Sequence, residues 1–230
     1  MLDTPFGKIR TPNITPDAET GVGRWQFDDF VRALRWGIAP DDTHYMPAFP
    51  FPYYNHLSAG DLADIRAFLD TLPAVPLRNE ASAPNNFAGA RRALAVTATP
   101  FPGPYQADPT RDQVWNRGAY LVETVGRCGD CHTPRDVFGA PVRDRALAGA
   151  PAGFGHKAAP NITPGSGVGR WTEKDIVTML RTGETPEVDF VGGAMAEVVK
   201  NTARLDDADR RAIAIYLHSL PAIRSQKKDQ

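Results

Sequence analysis

A series of short motifs that repeats in order constrains the fold of this chain more than any other feature. Pro12-Asn13-Ile14-Thr15-Pro16 recurs as Pro160-Asn161-Ile162-Thr163-Pro164, and Gly21-Val22-Gly23-Arg24-Trp25 recurs as Gly167-Val168-Gly169-Arg170-Trp171. Leu34-Arg35-Trp36-Gly37 matches Leu180-Arg181-Thr182-Gly183, and Ala67 to Pro73 matches Ile215 to Pro221. The offset stays between 146 and 148 throughout, so two copies of one domain are expected in tandem.

The second copy contains Cys128-Gly129-Asp130-Cys131-His132, which holds both cysteines of the chain. C-x-x-C-H reads as a site of covalent c-type haem attachment: two thiols at this spacing form thioethers with the two vinyl groups of one haem, and the adjacent imidazole falls beneath the iron. A structural zinc site wants four ligands, and no second cysteine pair is present. A thioredoxin-like pair needs a strand-helix-strand setting that the pattern lacks. Projected back by the repeat offset, the motif of the first copy falls about 20 positions before Met1. The first copy is therefore expected to be a truncated domain, or one that has lost its haem. Truncation would also account for the missing signal peptide, since covalent haem is attached outside the cytoplasm.

The composition excludes several classes. Lys and Arg number 26 against 27 Asp and Glu, with no basic stripe, so nothing recruits nucleic acid. No run approaches the roughly 20 apolar residues that cross a bilayer. Twenty-one prolines and 20 glycines point to short helices and long loops around a prosthetic group that replaces side chains in the core.

In the second copy a helix is expected over 113–125, ended by Gly126. A second runs over 173–182, with Thr172 as N-cap, Asp175 in a capping box and Gly183 at its end. The last spans 207–220, with Asp206 as N-cap, Pro221 as stop and an apolar face of Ala212, Ile213, Tyr216, Leu217 and Leu220. Gly118 and Tyr216 would allow the first and last helices to cross closely. In the first copy, 27–36 and 60–72 repeat the second and third helices, with Ser58 capping the latter.

The sixth iron ligand decides between electron transfer and ligand chemistry. Met195 lies in Gly192-Gly193-Ala194-Met195-Ala196, expected as a loop whose small residues admit a flat macrocycle. Thioether ligation raises the potential, and a closed six-coordinate iron suits a carrier. His156 and His218 read as surface or hydrogen-bonding residues. In the first copy, His44 or Met46 is the candidate ligand for a missing haem, with Met46 nearer the repeat offset.

The paired motifs, Cys128-x-x-Cys131-His132 and the Met195 segment before a final Leu-Pro resemble the multihaem class I cytochrome c family, which includes cytochrome subunits of bacterial membrane-bound alcohol and gluconate dehydrogenases. The resemblance implies an all-α fold of tandem class I cytochrome c domains, the first N-terminally incomplete: 1–76 a partial domain lacking its C-x-x-C-H, 77–112 a linker, and 113–230 a complete domain. It implies one haem c on Cys128 and Cys131, with His132 and Met195 on the iron, and a second haem only if the native chain is longer. Asn161 and Ile162 would line the haem, a carbonyl near Pro160 would orient His132, and Trp171 and Tyr216 would wall the pocket. The chain would be an electron carrier and not an enzyme. Its donor would be a dehydrogenase subunit and its acceptor quinone, an oxidase or another cytochrome, in the periplasm or peripherally on the inner membrane. Where many relatives have Tyr-Pro-Ala-Met-Pro, the first copy has Met46-Pro47-Ala48-Phe49-Pro50. The rival expectations are a dihaem peroxidase-type enzyme, with one iron face vacant, and a dehydrogenase-docking module with a haem-free first domain.

Overall fold

Four of the helices begin where a side chain closes the first turn, because the first four amides of a helix have no partner within it. In the computed structural model, which describes residues 2–4, 7–45, 49–78, 103–136, 141–152 and 158–225, Asp112, Asp206, Ser58 and Thr172 each accept a hydrogen bond from the amide three residues on, at 2.7 to 3.2 Å. The elements they open are α4 (Gln113–Tyr120), α8 (Asp207–Ser219), α3 (Ala59–Asp70) and α6 (Glu173–Thr182). Gln26 and Asp29 form a capping box on α1 (Phe27–Trp36). Left-handed glycines, Gly37 and Gly183, end α1 and α6.

The residues fall into two compact units, Met1–Gln106 and Ala107–Gln230. In the first, Phe30 and Ala33 of α1, Leu62 of α3 and Phe51 of the short α2 (Phe51–Tyr54) are buried around Asn55. The Asn55 amide donates to the Arg35 carbonyl at 2.9 Å and its oxygen accepts from Gly103 at 2.8 Å. In the second unit α4 crosses α8 at Gly118. A Cβ there would sit 2.6 Å from the Ala212 carbonyl carbon and 2.8 Å from Tyr216 Cβ, so only glycine permits this approach. Trp115 lies edge-on to Tyr216, with centroids 5.1 Å apart, and Arg117 forks onto Asp209 at 2.7 Å. Val122, Ala212, Ala214, Tyr216 and Leu217 fill this crossing, and Ile176 and Leu180 of α6 pack beneath α8.

The repeated motifs build the same clamp in each unit. Asn161 Oδ1 accepts from the Thr163 amide and hydroxyl, both at 2.8 Å, while its Nδ2 donates to the Ile223 carbonyl at 2.6 Å. Asn13 does the same with Thr15, at 3.0 and 2.8 Å, and with the Val75 carbonyl at 2.8 Å. The Pro-Asn-Ile-Thr-Pro run thus staples the chain that follows the last helix of each copy.

Several expectations need correction. The all-α expectation holds for the cores of both units, to which Leu2–Thr4 (β1) and Gly7–Ile9 (β2) add one short antiparallel hairpin, with Asp3 opposite Lys8. The helix expected over 113–125 changes character after Tyr120, where Leu121–Val125 forms a π-helical turn closed by Gly126 N–H donating to the Leu121 carbonyl at 2.7 Å. Met195 is not in a loop; it lies in the first turn of α7 (Ala194–Thr202). Two glycines before that helix and adjacent valines within it hid its periodicity. Within the first unit the Tyr105 amide donates to the His56 carbonyl at 2.9 Å, and within the second Asp108 exchanges hydrogen bonds with Asn116; residues 79–102 of the segment expected as linker lie outside the described residues. Met46 and His156 lie outside the described residues. Among the described residues, no helix is long and apolar enough to cross a membrane.

Candidate functional site

Cys128–His132 form α5, a single helical turn. One turn at 3.6 residues places residues three and four apart on one face, so Cys128, Cys131 and His132 project together. The turn is entered through Arg127, a non-glycine residue in the left-handed region (φ 49°), directly after the π turn. A π turn inserts one residue into the helical ladder, and such turns recur at functional sites. Here it turns Glu123 toward α8, where its carboxylate accepts from the Tyr216 hydroxyl.

Behind α5, Leu147, Gly149, Pro160 and Ile162 grip the histidine. Gly149 donates to the His132 carbonyl at 2.8 Å, Leu147 donates to Thr133 Oγ1 at 3.0 Å, and Ile162 donates to the Leu147 carbonyl at 3.0 Å. Gly149 has φ 84°, and a Cβ on it would stand 2.7 Å from the Asn161 nitrogen and 3.0 Å from the Pro160 carbonyl carbon. This close approach brings the Pro160 carbonyl 2.7 Å from His132 Nδ1. A carbonyl only accepts, so Nδ1 carries the proton and Nε2 keeps its lone pair for a metal. Burial also lowers the pKa of His132, favouring the neutral ring, and the Pro160 hydrogen bond opposes part of that shift.

Both thiols are free. Burial pushes Cys128 up to about 11, and burial followed by the Asp130 charge raises Cys131, so both are protonated at neutral pH. A redox-active C-x-x-C pair shows the opposite, a lowered pKa. Asp130 itself is paired with Arg127 at 3.3 Å and Arg135 at 3.1 Å. Among the described residues, no cluster of three or more His, Cys, Asp or Glu is arranged to hold a metal. Two thiols and one tautomer-locked imidazole on a single turn fit covalent attachment of haem.

The other candidates occupy varied positions. Pro160 acts through its carbonyl and Asn161 through the clamp described above. The Trp171 side chain is half-buried just before α6, and Tyr216 packs on Trp115. Met195 is half-buried, and a Cβ on Gly192 or Gly193 would meet nothing within 4 Å, which leaves open space on the approach to it. His44 is half-buried in a bridge with Ile38. His218 is half-buried near the end of α8, its Nε2 without a hydrogen-bond partner. Sequence reasoning missed Leu147, Gly149, Thr133 and Arg210. The last had a readable signal, because Arg210, Ile213, Ala214 and Leu217 share one buried helical stripe.

Fold and site together define a c-type cytochrome. No family model matches the chain. It is 43% identical over 228 residues to a "Diheme cytochrome c-type" protein of Cereibacter sphaeroides, covering 96% of this chain and 75% of that protein. It is 36% identical to the fructose dehydrogenase cytochrome subunit of Gluconobacter japonicus and 38% identical to the cytochrome c subunit of the quinone alcohol dehydrogenase of Gluconobacter oxydans, each over 96% of this chain. The chain spans 46% and 49% of those two subunits. The chain belongs to the multihaem class I cytochrome c family of electron-transfer subunits, and it is a carrier rather than a catalytic subunit.

Proposed function

We propose that this chain relays single electrons from a periplasmic dehydrogenase toward the respiratory chain, through a haem c bound by Cys128 and Cys131 and ligated by His132 and Met195. The observation that carries the reading is the hydrogen bond from His132 Nδ1 to the Pro160 carbonyl, which frees Nε2 and fixes the ring plane. A haem c held there supplies a one-electron ferric/ferrous couple. The chain's own residues do the rest: Gly149 and the Pro160 carbonyl hold the His132 backbone and ring and raise the basicity of the imidazole, and the thiols would hold the macrocycle in place. Met195 would supply the second iron ligand, so that little would rearrange when the charge changes. The dehydrogenase donor rests on the names of the relatives, and quinone, an oxidase or another cytochrome is the acceptor class.

The two units are read as tandem cytochrome c domains on the strength of their matching Asn-Thr clamps and matching helix caps. Trp171 and Ile162 are placed beside the haem by resemblance. His44 or Met46 would serve a first haem only in a longer chain. The test is Met195→Ala in the holoprotein. The methionine-to-iron charge-transfer band should vanish and carbon monoxide should bind the ferrous form, with the haem still covalently attached. An unchanged band would remove Met195 from the iron.

A further inference from the structure

Helix α7, which carries Met195 in its first turn, is fastened at one end only. Its start has no side-chain cap: Gly193 precedes it at φ 59°, and there is open space around Gly192 and Gly193. Its far end is held firmly. Val199 is buried, and the Thr202 hydroxyl donates to the Leu180 carbonyl of α6 at 2.6 Å. Arg210 of α8, with its side chain 6% exposed, donates from Nη1 to the carbonyls of Thr202 at 2.9 Å, Ala203 at 3.1 Å and Leu205 at 2.6 Å. Its Nη2 donates to Asp207 at 2.6 Å. The last carbonyls of a helix have no partner within it, and one guanidinium here takes up three carbonyls at and just beyond the end of α7. A buried arginine without an apolar rationale is costly to keep, so its placement on the core stripe of α8 calls for a role.

We propose that Arg210 is a positioning residue for the distal methionine. By fixing the C-terminal end of α7, it sets the position of Met195 about 10 Å away along the same helix. The proposal rests on the reading that Met195 ligates the iron. The glycines before α7 give no restraint of their own, so loosening the anchor lets the helix swing from its start and the thioether leave the iron without unfolding the unit.

The experiment titrates imidazole into the ferric holoprotein, well below any unfolding condition, for wild type, Arg210→Gln and Met195→Ala. Imidazole must displace the distal ligand, so its affinity reads how tightly Met195 is held. Arg210→Gln should raise the affinity by about tenfold or more, the size expected on losing charge-assisted hydrogen bonds. The methionine band should weaken while helix content and haem attachment stay unchanged. A merely structural role would lower the unfolding midpoint and leave imidazole affinity at the wild-type value, which overturns the proposal. If Arg210→Gln yields no holoprotein, Thr202→Val, which cuts the neighbouring bond to Leu180, should shift affinity in the same direction, and wild-type affinity there overturns the proposal too. If Met195→Ala leaves the band intact, the ligand reading itself fails, which is a separate outcome.

Discussion

Gly118→Ala in α4 is a one-methyl change whose effect can be worked out from the helix crossing. The added carbon would stand 2.6 Å from the Ala212 carbonyl carbon, with the carbonyl oxygen closer still, and 2.8 Å from Tyr216 Cβ. Carbon contacts settle near 3.5–4.0 Å, so α4 and α8 must separate by about 1 Å. The obstacle is mainly backbone, which cannot rotate away. Overpacking of this kind costs about 1–3 kcal/mol, and a backbone clash belongs at or above the upper end. Alanine returns about 1 kcal/mol of helix propensity. The net loss is about 2 kcal/mol, or a fall of about 1 M in the urea midpoint at an m-value near 2 kcal/mol/M. Gly60→Ala in α3 is the control. Its nearest neighbour is Ser58 Oγ at 3.7 Å, an ordinary contact, so the same substitution should stabilise by about 0.5–1 kcal/mol. Urea unfolding with peptide-resolved hydrogen exchange reads the two units separately. Gly118→Ala at or above wild-type stability would refute the close-crossing argument.

Gly149→Ala should both destabilise the second unit by about 1–3 kcal/mol and raise the reduction potential, because a Cβ at φ 84° displaces Pro160 and weakens the hydrogen bond that makes His132 a stronger donor to ferric iron; spectroelectrochemistry checks the sign. Val188→Asn should stabilise by about 1 kcal/mol in thermal unfolding, since Val188 is a β-branched residue at φ 60° and 79% exposed, whereas Asp42 fills the equivalent position of the first copy. The Asp175 carboxyl is held below its ordinary range by the Thr172 amide and then the Thr172 hydroxyl. Its contribution is therefore present above the unfolded carboxylate range and lost as pH falls through the lowered folded value. Thr172→Ala should flatten that part of the acid limb in pH-dependent urea unfolding.

Much of this fold was legible because the informative residues act locally. Thr172, Asp175 and Gly183 bound α6 as expected, since a cap needs only residues within three or four positions. Gly118 was readable as a crossing point because its partners lie on a strongly patterned helix. The histidine clamp was legible in part: the Pro160 carbonyl was anticipated through the resemblance, whereas Leu147 and Gly149 carry no periodicity and act through backbone geometry alone. The Asn161 side chain also binds Thr163, two residues on, and Ile223 and Ser225, which lie 62 and 64 residues away and which no local pattern announces. Helix α7 was missed because its stability comes from Arg210 and Leu180 rather than from its own sequence.

The central claim is that α5 carries covalent haem. The most direct test is mass analysis of a tryptic digest of the protein from its native host, after alkylation under denaturing conditions. The peptide from Cys128 to Arg135 should carry the mass of one haem and take up no alkylating reagent. The same peptide at its unmodified mass, with both thiols alkylated, would contradict the account.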